Sequence, residues 1–180
     1  NPTMALWNID TAHAQASFAA RHMMITTVRG TFNKITGSIN FDPANPAAAS
    51  VEVVIDTTSL TSTGVEQRDQ HLQSPDFLDV AKYPTITFKS TKVEPYDNGS
   101  KAKITGNLTI KDVTKEISIP VEVNGPVTGP QGNTLYGFEG STKIDRKDWG
   151  IVYGGVLDNG GLMIGEDVKI EISVEGSQKQ

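Results

Sequence analysis

Apolar and polar positions alternate with a period of two along most of this chain. Ile104, Gly106, Leu108 and Ile110 take turns with polar neighbours, as do Ile117, Ile119, Val121 and Val123, and Val168, Ile170, Ile172 and Val174. Val51, Val53 and Ile55 follow the pattern with an extra apolar Val54, and Ile86 and Phe88 begin another run. Such alternation predicts strands with one apolar and one wet face. Turn residues separate the runs: Asp97-Asn98-Gly99, Asp112, Gly129-Pro130-Gln131-Gly132-Asn133 and Asn159-Gly160-Gly161. Asn-Gly is a strong hairpin signal because both residues accept positive φ. About eight to ten consecutive strands without long intervening helices predict an antiparallel meander, and such a sheet usually closes on itself to remove its edges.

One segment departs from this period. Thr63-Gly-Val-Glu66 reads as a capping box that opens a helix through Leu72. Ser74-Pro75 reads as N-cap and first residue of a second short helix through Phe77 and Leu78, stopped before Pro84. The stretch from Thr63 to Tyr83 is therefore expected as a helical excursion across one barrel mouth. No repeat or linker divides the chain, so residues 1–180 are expected to form one domain with its core over about 7–175.

Charge narrows the partners. The net charge is −5 with no basic run, which argues against nucleic acid and against an anionic membrane surface. No apolar stretch reaches the ~20 residues of a membrane-spanning helix, so no stable membrane insertion is expected. There are no cysteines, which excludes disulfides, thiolate catalysis and Cys-ligated zinc. Asn1-Pro2-Thr3 shows no signal peptide, and the domain pattern starts directly at Leu6-Trp7. Met4 as the natural start and a cytoplasmic location are the expectation, and a periplasmic or secreted form already cleaved is the alternative.

The chain carries no GxxxxGK[ST], GxGxxG, HExxH or GxSxG motif. Its histidines are His13, His22 and His71. His13 and His22 lie an odd number of residues apart, so one unbroken strand would turn them to opposite faces, and a shared metal site would need a bulge. No metal site is expected. His22 shares parity with Phe18 and points inward, either as a hydrogen-bonded core histidine or as a polar anchor for a ligand head. Arg68 and His71 share a helix face and Asp69 does not, which suits a structural ion pair or cap better than acid–base chemistry. The charges of Asp145-Arg146-Lys147-Asp148 read as a solvated turn, and Trp149 reads as buried, in core packing or against a ligand. Large residues (Phe18, Met23, Met24, Phe32, Phe41, Phe77, Phe88) share strands with Ala16, Ala19, Ala20, Gly30 and Gly37. That mixture fits a tapered solid core or a hollow carrier barrel, and Met23-Met24 would add adaptable surface.

The order of these residues resembles the YceI-like proteins. The resemblance is carried by Trp7-Asn8-Ile9-Asp10, His13, Phe18, Arg21-His22-Met23, Gly30-Thr31-Phe32, Phe41-Asp42-Pro43 and Ser59-Leu60. It continues through Arg68-Asp69-Gln70-His71-Leu72, Ser74-Pro75-Asp76-Phe77, Tyr83-Pro84, Phe88-Lys89-Ser90, Gly106-Asn107-Leu108, Asp145-Arg146 and Trp149-Gly150. It implies an all-β fold: a single extended, eight-stranded antiparallel lipocalin-like barrel with a short helical excursion. It implies a non-enzymatic carrier that holds a polyisoprenoid, a quinone precursor or a fatty amphiphile in its interior. No cofactor is implied beyond that lipid, and a homodimer stays open. Ala14 stands where the family often has Ser, and Trp149 where it often has Phe, which would narrow the pore. The expected wall is Phe18, Ala20, His22, Met23, Met24, Phe32, Ile39, Phe41, Val53, Ile55, Leu72, Phe77, Phe88, Leu108, Ile110 and Trp149. The rivals are an enzyme acting on a lipid head group through His22 or His71 with Asp69, and a solid-core structural domain.

Overall fold

The computed structural model describes residues 5–22, 25–41, 45–61, 63–64, 66–151 and 164–178; the side chains of residues 5, 6, 8, 10–13, 22, 41, 46, 164 and 178 lie outside that description. Among the described residues nine antiparallel strands follow one another: β1 (Ala5–His22), β2 (Thr26–Phe32), β3 (Ile35–Phe41), β4 (Ser50–Asp56), β5 (Thr85–Tyr96), β6 (Lys101–Ile110), β7 (Val113–Thr128), β8 (Thr134–Asp145) and β9 (Ile164–Gln178). One helix, α1 (Glu66–Gln73), lies between β4 and β5. Each strand from β3 to β9 pairs with the next, and β9 pairs back onto β1, so the sheet curls into a ring.

The count is nine where eight were expected, and the reason is local. β1 pairs with β2 from Ala16 to His22 and with β3 from Ala5 to Asn8, so β2 and β3 act as two halves of one partner. Asn33 and Lys34 separate the halves. Lys34 turns its backbone to the end of β4: its carbonyl accepts from the Asp56 amide at 3.0 Å, and its own amide donates to the Ser59 hydroxyl at 3.1 Å. β1 also loses step with β9 between Ile9 and Ala14. The slip exchanges the inward parity, so Trp7 and Ile9 are buried before it and Ala14 and Ala16 after it.

Alternation works as a face code elsewhere. Leu108 and Ile110 are buried while Lys103 and Asn107 are exposed; Ile104 is half-buried against the core. Ile170 and Ile172 pack against the core between exposed Lys169, Glu171 and Ser173. The β5–β6 hairpin turns where Asn-Gly foretold, with φ of 58° at Asn98 and 82° at Gly99.

The excursion differs from its reading in two respects. Thr63 does not form a capping box. Its amide donates to the Asp69 carboxylate at 2.8 Å, its hydroxyl also donates there, and Arg68 Nε donates to the Thr63 hydroxyl oxygen at 2.9 Å. Gly64, at φ +100°, turns the chain in between, so Glu66 is the first helical residue rather than the third. The second helix does not form either. The Ser74 hydroxyl and amide donate back to the His71 carbonyl at 2.6 and 3.1 Å, which ends α1, and Phe77 and Asp79 close tight turns onto the Ser74 carbonyl. Thr57, 1% exposed, clamps the two ends of the excursion: its amide donates to the Pro84 carbonyl at 2.9 Å and its hydroxyl to the Tyr83 carbonyl at 3.1 Å.

Candidate functional site

The ends of β1, β4, β6 and β8 and the starts of β2, β5 and β9 meet at one end of the ring, where the excursion lies across it. Between them is a cavity of about 980 Å³. Its wall is built by the face code of the strands. Phe18 and Ala20 come from β1, Phe32 from β2, Ile55 from β4, Ile86 from β5, Leu108 and Ile110 from β6, Ile144 from β8, and Val168 and Ile170 from β9. Leu72, Phe77 and Leu78 reach in from the excursion. The volume stands at the upper end of the ~300–1,000 Å³ that small-molecule sites span.

Large and small residues divide the labour. Phe18 faces Gly30 across the β1–β2 pair, and a Cβ on Gly30 would overlap the Phe18 ring. The absent side chain lets the phenyl group lie flat over the neighbouring strand, 5.9 Å from the Phe32 ring centroid. Gly106 does the same for Phe88, whose Cζ would lie 2.6 Å from an added Cβ. Phe18 and Phe32 thus lie along the wall, which keeps space open beside them, while Phe88 is packed into the core.

The opposite end is filled. Trp7 and Tyr136, 3% and 7% exposed, meet edge to face with ring centroids 5.0 Å apart. Burial raises the Tyr136 hydroxyl pKa, so the group stays neutral. None of Trp7, Ile9, Ile39 and Tyr136 lines the cavity, so the chamber is a blind one, entered from the α1 end.

Polar groups gather at that end. Arg146, in the 3₁₀ turn after β8, is only 6% exposed, although the sequence reads it as part of a solvated turn. Its Nε donates to the Gly165 carbonyl at 2.9 Å and its Nη1 to the Ile151 carbonyl at 2.8 Å. Burial lowers the guanidinium pKa, and the nearby Glu166 and Asp145 charges oppose that. The group stays charged, as arginines do in proteins. Arg68, His71, Gln67 and Gln70 of α1 and Arg21 of β1 complete the polar part. His71 Nε2 is 2.8 Å from Asp76 Oδ2, and Arg68 Nη2 donates to the Thr63 carbonyl at 2.7 Å.

Of the residues expected to form the wall, Phe18, Ala20, Phe32, Ile55, Leu72, Phe77, Leu108 and Ile110 line the cavity. Ile39, Val53, Phe88 and Trp149 do not; they are buried in the packed core beside it. Trp149 is held there because its indole N–H donates to the Leu108 carbonyl at 3.0 Å, so the expected narrowing of a pore by this residue does not arise. Met23 and Met24, and the side chains of His22, Phe41 and His13, lie outside the described residues. Among the described residues no cluster of three or more metal-ligating side chains occurs, and no helix is long and apolar enough to cross a membrane. Ile86 and Ile144 line the cavity but are missing from the expected wall, although parity with Phe88 and with Tyr136 marks both. Arg146 carried no such signal.

A profile of the YceI-like domain matches residues 7–176. A UPF0312 protein of Vibrio cholerae is 42% identical over 173 residues, covering 95% of this chain and 86% of that one. The crystal structure of Burkholderia cenocepacia BcnA superposes with a TM-score of 0.79 at 26% identity, covering 93% of this chain and 98% of that one. A polyisoprenoid-binding domain from Saccharophagus degradans, implicated in plant cell wall breakdown, shares the fold with a TM-score of 0.72 at 14% identity, covering 98% of this chain and 99% of that one.

Proposed function

The chain belongs to the YceI-like family, and from that premise we propose that it binds and carries a long-chain isoprenoid or similar amphiphilic lipid without transforming it. The observation that carries this reading is the blind cavity of about 980 Å³ with an apolar wall inside the closed sheet. A solid-core structural domain would have no use for it, since interiors otherwise pack to crystal-like density. A neighbour of the same fold is described as polyisoprenoid-binding, which fits the same reading.

Magnitudes fit a carrier whose selectivity comes from shape and head group. Each buried CH₂ contributes ~0.8 kcal/mol, so a five-carbon prenyl unit contributes at most ~4 kcal/mol. Some five fully buried units would already reach the ~18–21 kcal/mol ceiling of non-covalent affinity. Tail burial is therefore ample, and chamber depth and mouth chemistry choose the ligand. The rival enzyme reading needs Asp69 beside His22 or His71. Asp69 instead accepts from the Thr63 amide and hydroxyl, and His71 pairs with Asp76.

Native mass spectrometry of the purified protein tests the proposal. A lipid that co-purifies, and is released chemically unchanged on denaturation, is the expected result. A protein that is empty and takes up no isoprenoid or fatty amphiphile would overturn it.

A further inference from the structure

Among the described residues, the ionisable side chains that line the cavity are of one sign. Arg21, Arg68, His71 and Arg146 line it, and no Asp or Glu does among the described residues. The chain as a whole has the opposite balance, 21 Asp and Glu against 16 Lys and Arg. The type of cation is as selective as the sign. The sequence has 4 arginines, of which 3 line this cavity, and 12 lysines, of which none does among the described residues. Lysine and arginine differ little as charges. They differ in that the guanidinium offers a planar fork of donors matched to carboxylate and phosphate oxygens, and is weakly enough hydrated to work where water is scarce.

Placement supports the same conclusion. Arg146 is buried, and the carbonyls of Gly165 and Ile151 fix the plane of its guanidinium at the cavity wall. Arg68 is oriented in the same way by the Thr63 carbonyl and hydroxyl oxygens. Arg21 sits exposed on the rim, its Nη1 donating to the Thr27 hydroxyl at 3.3 Å. A neutral alcohol, amide or quinone head would use these donors but not their charge, and a long apolar tail needs neither. We propose that the ligand is an anionic amphiphile whose oxyanion head, a carboxylate or a phosphate, is held by the arginines at the α1 end while its tail lies against Phe18, Phe32, Leu108 and Ile110. This rests on the lipid-binding reading above and narrows it to a charge class.

The test uses wild-type protein stripped of lipid and two matched pairs, oleate with oleyl alcohol and farnesyl phosphate with farnesol, titrated by calorimetry. The charged member of at least one pair should bind about tenfold or more tighter than its neutral partner, as an added charge-assisted bidentate contact would give. Preference in the first pair identifies a carboxylate head and in the second a phosphate head. Arg146→Gln should collapse that ratio. Arg68→Gln, at a half-buried position on α1, should reduce it severalfold and keeps the test valid if the Arg146 variant does not fold. Equal affinities within both pairs, or a ratio unchanged in Arg68→Gln and in any folded Arg146→Gln, would overturn the anionic head and leave lipid binding standing. Failure of all four compounds to bind would instead remove the lipid-binding reading, and this proposal with it.

Discussion

The Phe18 ring lies over Gly30, its partner across β1 and β2, in the space a side chain there would occupy. The pair decides where the phenyl group stands: flat on the wall rather than projecting into the chamber. Gly30→Ala should therefore push the ring inward. We expect weaker lipid binding together with a stability loss of about 1–3 kcal/mol, the usual cost of overpacking. Calorimetric titration and thermal melting read the two effects, and unaltered affinity would show that the ring has room to move elsewhere.

Ala20 lines the cavity and is only half-buried. Ala20→Trp should fill the chamber with an indole. Lipid binding should be lost while the melting temperature of the empty protein changes little. A drop equivalent to roughly 1–3 kcal/mol with binding intact would instead mark this region as solid packing.

The Trp7–Tyr136 contact closes the far end. Trp7→Ala should cost about 3–5 kcal/mol, as aromatic truncations in cores do. If the variant folds, its chamber is deeper. The chain-length optimum in a homologous series of prenyl or fatty ligands should then move to longer tails, which native mass spectrometry can follow.

Asp56 caps the 3₁₀ turn Thr57–Ser59 by accepting from the Thr58 hydroxyl and amide. These bonds, with a smaller contribution from Lys34, hold its carboxyl below the usual carboxylate range. A depressed folded pKa stabilises the fold above the unfolded value of about 3.9, and that contribution disappears as pH falls through the folded value. Asp56→Asn keeps an acceptor and removes the titration. Its stability should fall less steeply than that of wild type on acidification below about pH 4. Parallel curves in urea melts across that range would contradict the assignment.

His71 and Asp69 are engaged in local contacts of the excursion. Replacing either with Ala, or His22 with Ala, should alter lipid retention at most. A bound lipid that wild-type protein cleaves, and one of these variants does not, would favour the enzyme reading.

The strands were legible because alternation encodes which face is wet. Ile104, Leu108, Ile110, Ile170 and Ile172 stand on the side their parity assigns. Parity fails where the register slips. Nothing between Ile9 and Ala14 announces that β1 changes faces, and Asn33-Lys34 carries no glycine or proline to announce the break between β2 and β3. The helix start was misplaced because Thr63 gives its hydroxyl to Asp69 rather than to the helix amides. Half of the expected wall lines the cavity, and Ile39, Val53, Phe88 and Trp149 do not, because alternation says which way a side chain points and not how far away the opposing wall stands. Arg146 was least legible. A charged residue in a turn is ordinarily solvated, and only the packing of Gly165 and Ile151 around it makes it interior.

The ring is sealed by pairing β1 with β9, residues as distant along the chain as Ala20 and Val168. Closure of this kind is a late event, because the loop entropy of joining remote segments must be met before the contacts they make reward it. During synthesis β1 through β8 emerge first, and until β9 arrives the future chamber is an open apolar trough with two unpaired edges. Such a surface invites aggregation. It is also a surface that a lipid could cover, so a ligand already present could act as a scaffold on which the last strand closes.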